Sequence, residues 1–263
     1  YPAHLPQLSG ERLATRLAQV RDDTAAGTDG WRAAEAKALP PEILACFGRV
    51  FEAIEAGGAW PEGMLHATVP LPPKQGVTAG EAGPLKQRPI TVGSIWYRLY
   101  ASLRYQDLRP WMMAWCDPAL RGGVEHGETR DSTVELGIDL EEAAADQALL
   151  FGANIDTAKC YDSQDREIIF GAAETMGAPT GLMESQMRFY QGLQRAFRYG
   201  RSIGNWWSSH TSVLQGCALS QIWINLITTL WCKVVRWAAP GVTISGYIDD
   251  RSLRSRVAQQ VQR

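Results

Sequence analysis

The chain has 263 residues, of which 45% are hydrophobic and 21% charged, with a net charge of −2. That is the profile of a globular protein with a sizeable core, and it excludes a disordered, collagen-like or disulfide-dense chain. The charge balance, taken alone, argues against nucleic-acid binding, although an average hides local patches.

Residues 9–21, "SGERLATRLAQVR", place Leu13, Leu17 and Val20 on one helical face. "AAGTDGW" (25–31) reads as a loop. "PEILACFGRVFEAIEAGG" is the next helix, with Pro41 at its first position and Gly57–Gly58 as its stop. Its expected apolar stripe is Ile43, Phe47, Val50, Phe51 and Ile54. "HATVPLPPKQG" predicts a short strand running into a Pro-rich loop, and "GVTAGEAGP" (76–84) is the loop with the most flexible composition. "QRPITVGSIWYRLYASLRYQDLRPWM" predicts a loop, then an aromatic helix whose Arg98, Arg104 and Arg109 form a basic face. In "DSTVELGIDLEEAAAD", Ser132 and Glu135 have capping-box spacing and predict a helix start.

"QALLFGANIDTAKCYD" is a β-prone run ending in polar residues, followed by helices over about 165–177 and 181–195. "RAFRYGRSIGNWWSSHTSVLQG" predicts a hairpin with Gly200 and Gly204 as turn candidates. "SQIWINLITTLWCKVVRWA" reads as a buried helix, and "GVTISGYIDDRSL" as strand, tight turn, strand. Helices come first and strands then alternate with helices, which gives an α+β class.

Cys46, Cys116, Cys160, Cys217 and Cys232 are odd in number and contain no CxxC, as expected of free thiols in a reducing compartment. His4, His66, His126 and His210 lack zinc spacing. No apolar run reaches the ~18 residues that span a membrane, and the N-terminus lacks a signal-peptide pattern. An intracellular location is therefore expected, without a choice between nucleus and cytoplasm. The start without Met and the end at "RSRVAQQVQR" lead us to expect a piece of a longer chain.

Three pieces stand at predicted strand or loop ends: Asp156, "LQGCALS" and the pair Asp249–Asp250. Strand ends on a rigid scaffold are where catalytic groups are presented. Converging carboxylates there suit two Mg²⁺ ions, which prefer hard oxygen donors and leave room for phosphates. A lone Asp-Asp after a strand is more often a solvated turn, and Asp156 alone could be a helix cap. The three together, in this order, favour a metal.

With those pieces in place, nearly the whole chain resembles a reverse transcriptase domain of the non-long-terminal-repeat retrotransposon and group II intron kind. "AGTDGW" with "ALPPEIL", "GAWPEGMLHATVPLPPK", "QRPITVGSIWYRLYASL" and "GGVEHGETRDST" resemble its fingers segments and the approach to its palm. "DTAKCYD", "QGCALS" and "YIDD" resemble its three palm motifs in order. The resemblance implies a right-hand polymerase fold: helical fingers over 1–115, and over 116–263 a palm whose antiparallel sheet is backed by helices. The palm would be incomplete and the thumb absent, because the chain ends 13 residues after Asp250.

The resemblance further implies RNA-templated DNA synthesis by a retroelement polymerase, with an RNA template, a DNA primer and dNTPs as partners, no membrane, and an undetermined oligomeric state. Asp156, Asp249 and Asp250 would be the catalytic carboxylates and metal ligands, with the Thr157 carbonyl adding a ligand. Two Mg²⁺ are implied, with Mn²⁺ as the substitute. Lys74 and Arg88 would grip the triphosphate. Tyr161 would lie under the nucleotide sugar and exclude a 2′-hydroxyl. Gln215 and Gly216 would form the loop at the nucleotide and template, and Asn225 is the polar residue of the following helix. The sequence departs from the family at Ala218 and Gln221, where prolines are usual, and at Arg251, where an apolar residue is commoner and a more exposed strand is expected. Two rivals remain at this point: another templated polymerase, or a silent module that holds nucleic acid without catalysis.

Overall fold

The computed structural model describes residues 5–74, 76–78, 83, 86–125 and 127–261. His4, His126 and part of the 76–84 loop lie outside the described residues. In chain order the first elements are α1 (Gly10–Ala18), α2 (Ala33–Lys37), α3 (Pro41–Glu55), β1 (His66–Pro70), α4 (Ile95–Trp115) and α5 (Thr129–Ala145). There follow β2 (Phe151–Asp156), α6 (Arg166–Thr175), α7 (Thr180–Gly192), β3 (Gln194–Tyr199) and β4 (Ser202–Ile203). The chain continues through α8 (Ala218–Ala238), β5 (Thr243–Tyr247), β6 (Asp250–Ser255) and α9 (Ala258–Val261).

Contacts divide the chain into two compact units that interleave in sequence. One comprises 109–163 and 221–263 with Tyr1, the other 2–108 and 164–220. The division at 115/116 into fingers and palm rests on motifs and remains a proposal.

In the unit built on 2–108 and 164–220, α3 crosses the segment that leads into α1. Gly48 faces the Leu8 carbonyl, and a Cβ there would overlap that oxygen. This close crossing turns the buried stripe of α3 to Leu44, Gly48, Phe51 and Ile54. The expected stripe is corrected accordingly: Ile43 is 42% exposed and Val50 is exposed as well. An apolar count gives glycine no weight, although it is the residue that allows two backbones to touch.

The expected basic face on α4 is also corrected. Arg104 is 2% exposed and donates to Glu55 at 2.6 and 2.7 Å and to Asp107 at 2.9 Å. Arg98 donates to the Ala25 carbonyl. The core beside them is aromatic. Tyr97 stacks on Phe189 with centroids 3.7 Å apart, and Trp60 packs edge-on against Tyr97, Tyr100 and Phe189. The sheet here has the order β1-β3-β4, with β1 and β3 parallel and β3–β4 the expected hairpin, turning at Gly200 with φ +58°.

In the unit built on 109–163 and 221–263, the sheet order is β2-β6-β5, all antiparallel. One face packs on α8 through Leu253, Ile244, Cys232 and Val242. From the other face Arg254 donates to Asp139 of α5 at 2.6 Å, and Ser245 to Glu135 at 3.1 Å. α5 starts three residues before the expected Ser132 box: Asp131 accepts from the Glu128 N–H at 2.8 Å and caps the first turn. By length and composition α8 could cross a membrane, contrary to the expectation from the sequence, but 56% of its most apolar window is buried in the fold.

Candidate active site

The two carboxylate segments meet through strand register. β2 and β6 pair so that Asp156 stands opposite Asp250, Asn154 opposite Ser252 and Gly152 opposite Arg254. Tyr247 of β5 completes the row at Asp250. Directly opposed residues in an antiparallel pair project to the same face with Cβ atoms about 4.5–5.5 Å apart. Asp156 and Asp250 therefore share one face at one end of the sheet, although 93 residues lie between them in sequence.

Asp249 sits in the two-residue turn between β5 and β6, beside Ile248 at φ +58°. A positive φ at the first loop residue belongs to the tight hairpin that matches strand twist, and glycine is its usual occupant. A β-branched residue there is strained, and such strain collects where geometry matters to function.

The turn is braced from outside the sheet. Residues 119–121 run alongside β5: Gly246 donates to Ala119 at 2.9 Å, and Arg121 donates to the Gly246 carbonyl at 2.8 Å. Gly122 then faces the turn, where a Cβ would lie 2.7 Å from the Ile248 nitrogen. Asn225, buried on α8, donates to the Gly122 carbonyl at 3.0 Å and accepts from Gln221 at 3.3 Å. Sequence reasoning noticed Asn225 and Gln221 but missed Gly122. The double glycine in "LRGG" is the signal for close backbone approach.

Arg251 is half-buried rather than exposed, with its guanidinium over the Trp231 ring at 5.2 Å and a bond to Thr228 at 3.2 Å. Its aliphatic stem and planar head replace the apolar residue expected at this position.

Past Asp156, Thr157 is half-buried and Lys159 turns the chain with φ +52°. Cys160 is buried, and its thiol is pushed up first by burial, with Asp249 and Asp156 also raising it and Arg251 opposing. Mg²⁺ prefers hard oxygen donors to sulfur, which makes the carboxylates the candidate donors of this cluster. Burial, then Cys160 and Asp249, push the Tyr161 phenol up to about 12. Tyr161, Asp249, Asp156 and Cys160 thus form one electrostatic neighbourhood.

Among the described residues, no group of three or more His, Cys, Asp or Glu is gathered closely enough to hold a metal ion. The donors are hard carboxylate oxygens on opposed and adjacent positions. Mg²⁺ ordinarily takes only one or two protein carboxylates and fills its shell with water and phosphate. The residues present fit Mg²⁺ in that open manner, not a closed protein cage.

The other expected site residues lie in the second unit and are considered by themselves. The chain leaving β1 runs beside 86–92: Lys74 donates its N–H to Lys86 at 2.8 Å, Arg88 to Pro72 at 2.9 Å, and Val92 to Thr68 at 2.8 Å. Lys74 and Arg88 are exposed, with no side-chain partner among the described residues. The Gln215 carbonyl accepts from Thr91 at 3.1 Å, and Gly216 has φ +104° beside Thr91 and Ile90. Arg88, Gln215 and Gly216 are thereby brought to one region. Trp207 is half-buried beneath Arg195, whose guanidinium lies 4.1 Å from the ring.

No protein-family model matches the chain, and no curated protein matches it. Among solved structures it is similar to apo telomerase from Candida Tropicalis, truncated from its C-terminal domain, with a TM-score of 0.50 at 12% identity. The match covers 90% of this chain and 53% of that one, so the chain spans about half the length of the structure it resembles. At this identity the likeness speaks for the fold alone, an α+β fold like that of the telomerase structure.

Proposed function

We propose that the chain is the fingers and palm of an RNA-directed DNA polymerase from a retroelement of the non-long-terminal-repeat or group II intron kind. The observation that carries this reading is the register pairing of Asp156 with Asp250, with Asp249 in the adjoining turn. The fold likeness to telomerase supports it.

In this reading Asp156, Asp249 and Asp250, with the Thr157 carbonyl, would hold two Mg²⁺, or Mn²⁺ in their place. The ions would lower the pKa of the primer 3′-hydroxyl and offset charge on the triphosphate. The three carboxylates present oxygen donors on a rigid sheet end. Tyr161, neutral at physiological pH, supplies a flat surface against the sugar and selects deoxynucleotides. Lys74 and Arg88 bind phosphate oxygens, while Gln215 and Gly216 let the backbone approach nucleotide and template. The reaction is attack of a primer 3′-hydroxyl on the α-phosphate of a dNTP, templated by RNA, with pyrophosphate leaving. The working location is inside the cell.

The test is primer extension on an RNA template with dNTPs and Mg²⁺, run on a protein that joins this chain to a thumb, since the chain by itself is expected to be weakly active or inactive. Activity is expected, and Asp249→Asn should abolish it. Equal use of rNTPs would refute the reverse-transcriptase assignment, and full activity of the Asn variant would refute the carboxylate assignment.

A further inference from the structure

From Ser185 to Ile248 the chain contains no Asp or Glu, yet it carries Arg188, Arg195, Arg198, Arg201, Lys233 and Arg236. In a protein of net charge −2 this is a strong local asymmetry. The β3–β4 hairpin is its most exposed part. Tyr199 is 74% exposed, and Phe197, Ile203 and Trp206 are exposed beside it. Phe197 and Tyr199 are two residues apart on β3 and so share one face. Arg198 and Arg201 are exposed and have no carboxylate partner among the described residues.

Next to the hairpin runs an apolar groove of about 550 Å³. Pro70, Ile90 and Val92 line it together with Ala25–Ala26 and Arg198–Gly200. The acids closest to Ala25 in sequence are already engaged, Asp22 with Lys37 and Asp23 with Arg21. Pro72, which also lines the groove, accepts from the Arg88 N–H, so the groove lies near Lys74 and Arg88, whose side chains have no partner among the described residues.

We infer that this hairpin and groove bind an unpaired nucleic-acid strand. Tyr199 and Phe197 offer faces on which bases stack, and Arg198, Arg201, Lys74 and Arg88 lie along the course of the phosphates. Aromatic faces interleaved with cations are what sequence-tolerant single-strand binding needs. A duplex, with its bases already stacked on one another, gains nothing from the tyrosine. The inference rests on the polymerase reading only for which strand is held, the template before it is copied.

The test uses the 263-residue chain and fluorescence anisotropy with labelled 12-nucleotide single-stranded RNA, single-stranded DNA and a duplex of equal length. Single strands should bind more tightly than the duplex. Tyr199→Ala should weaken single-strand binding roughly tenfold. Arg198→Gln with Arg201→Gln should reduce the salt dependence by about one unit of log–log slope or more. These side chains are exposed, so circular dichroism should be unchanged. Asp249→Asn should bind like wild type even if it is inactive, which separates this inference from the polymerase reading. Equal affinity for duplex, or single-strand affinity indifferent to both sets of substitutions, would overturn it. So would a Tyr199-dependent dimer in light scattering, which would assign the patch to a second copy of the chain.

Discussion

Asn225→Ala tests whether the carboxylate turn is held by its brace. Asn225 is 1% exposed, and its amide donates to the Gly122 carbonyl at 3.0 Å. After truncation that carbonyl keeps only the 3.4 Å contact from Gln221, and Gln221 itself loses an acceptor. Losing one net hydrogen bond and part of the desolvation of a buried carbonyl amounts to about 2 kcal/mol. At 1.4 kcal/mol per tenfold, local opening of the brace should become roughly 30-fold more frequent. Hydrogen exchange followed by mass spectrometry reads this directly. The Arg121 and Gly246 amides, which clasp 119–121 to β5, should exchange roughly 30-fold faster, while peptides from α3 keep their rate. Unchanged exchange at 119–123 and 243–250 would refute the brace. An equal rise across the whole chain would refute its local character.

Arg104→Met should lower the melting temperature by roughly 10 °C, because Glu55 loses its guanidinium and keeps the Tyr100 hydroxyl, Asp107 keeps Arg12 alone of its two arginines, and breaking a buried ion pair costs about 3–5 kcal/mol. Gly48→Ala should also destabilise, since its methyl meets the Leu8 carbonyl. Both are checked by thermal denaturation. Burial works to raise the Asp117 carboxyl, but the Arg236 hydrogen bonds and the Ala119 N–H outweigh it and hold the group below its usual value. Its stabilisation is therefore complete above the unfolded pKa near 4 and is lost as pH falls through the lower folded value. Asp117→Asn should flatten the melting profile in that acid window. Under the polymerase reading, Tyr161→Phe should keep the preference for dNTPs and Tyr161→Ala should relax it, as single-nucleotide extension would reveal.

The local periodicities were readable where neighbours in sequence decide the structure. The helices at 41–55, 166–175 and 180–192, the Gly200 hairpin and the strand–turn–strand at 243–255 all follow from spacing and turn residues. The errors share a different cause. Gly48, Arg104 and the Glu128–Asp131 cap owe their roles to partners or competing caps that no periodic pattern contains. The same holds at the candidate site. "YIDD" and "NID" mark two strand ends, but only the sheet register makes Asp250 and Asp156 opposite one another. The mixed β1-β3-β4 sheet was equally invisible, because its parallel pair joins residues more than a hundred positions apart.

The alignment of β2 with β6 acts as a ruler for charge. Side chains alternate along a strand, so sliding β6 by one residue would set Asp249 or Arg251 opposite Asp156 and send Asp250 to the face packed on α8. Either slip would press the Asp250 carboxylate toward Ile244 and α8 while turning Leu253 away from that face, and one of the two would also neutralise Asp156 with the Arg251 guanidinium. Insertions of a single residue between Thr243 and Ser255 should therefore be far more damaging than longer insertions in the loop after β1. The least forgiving coordinate of this protein is a count of residues, kept by a two-residue turn and the glycines that clamp it.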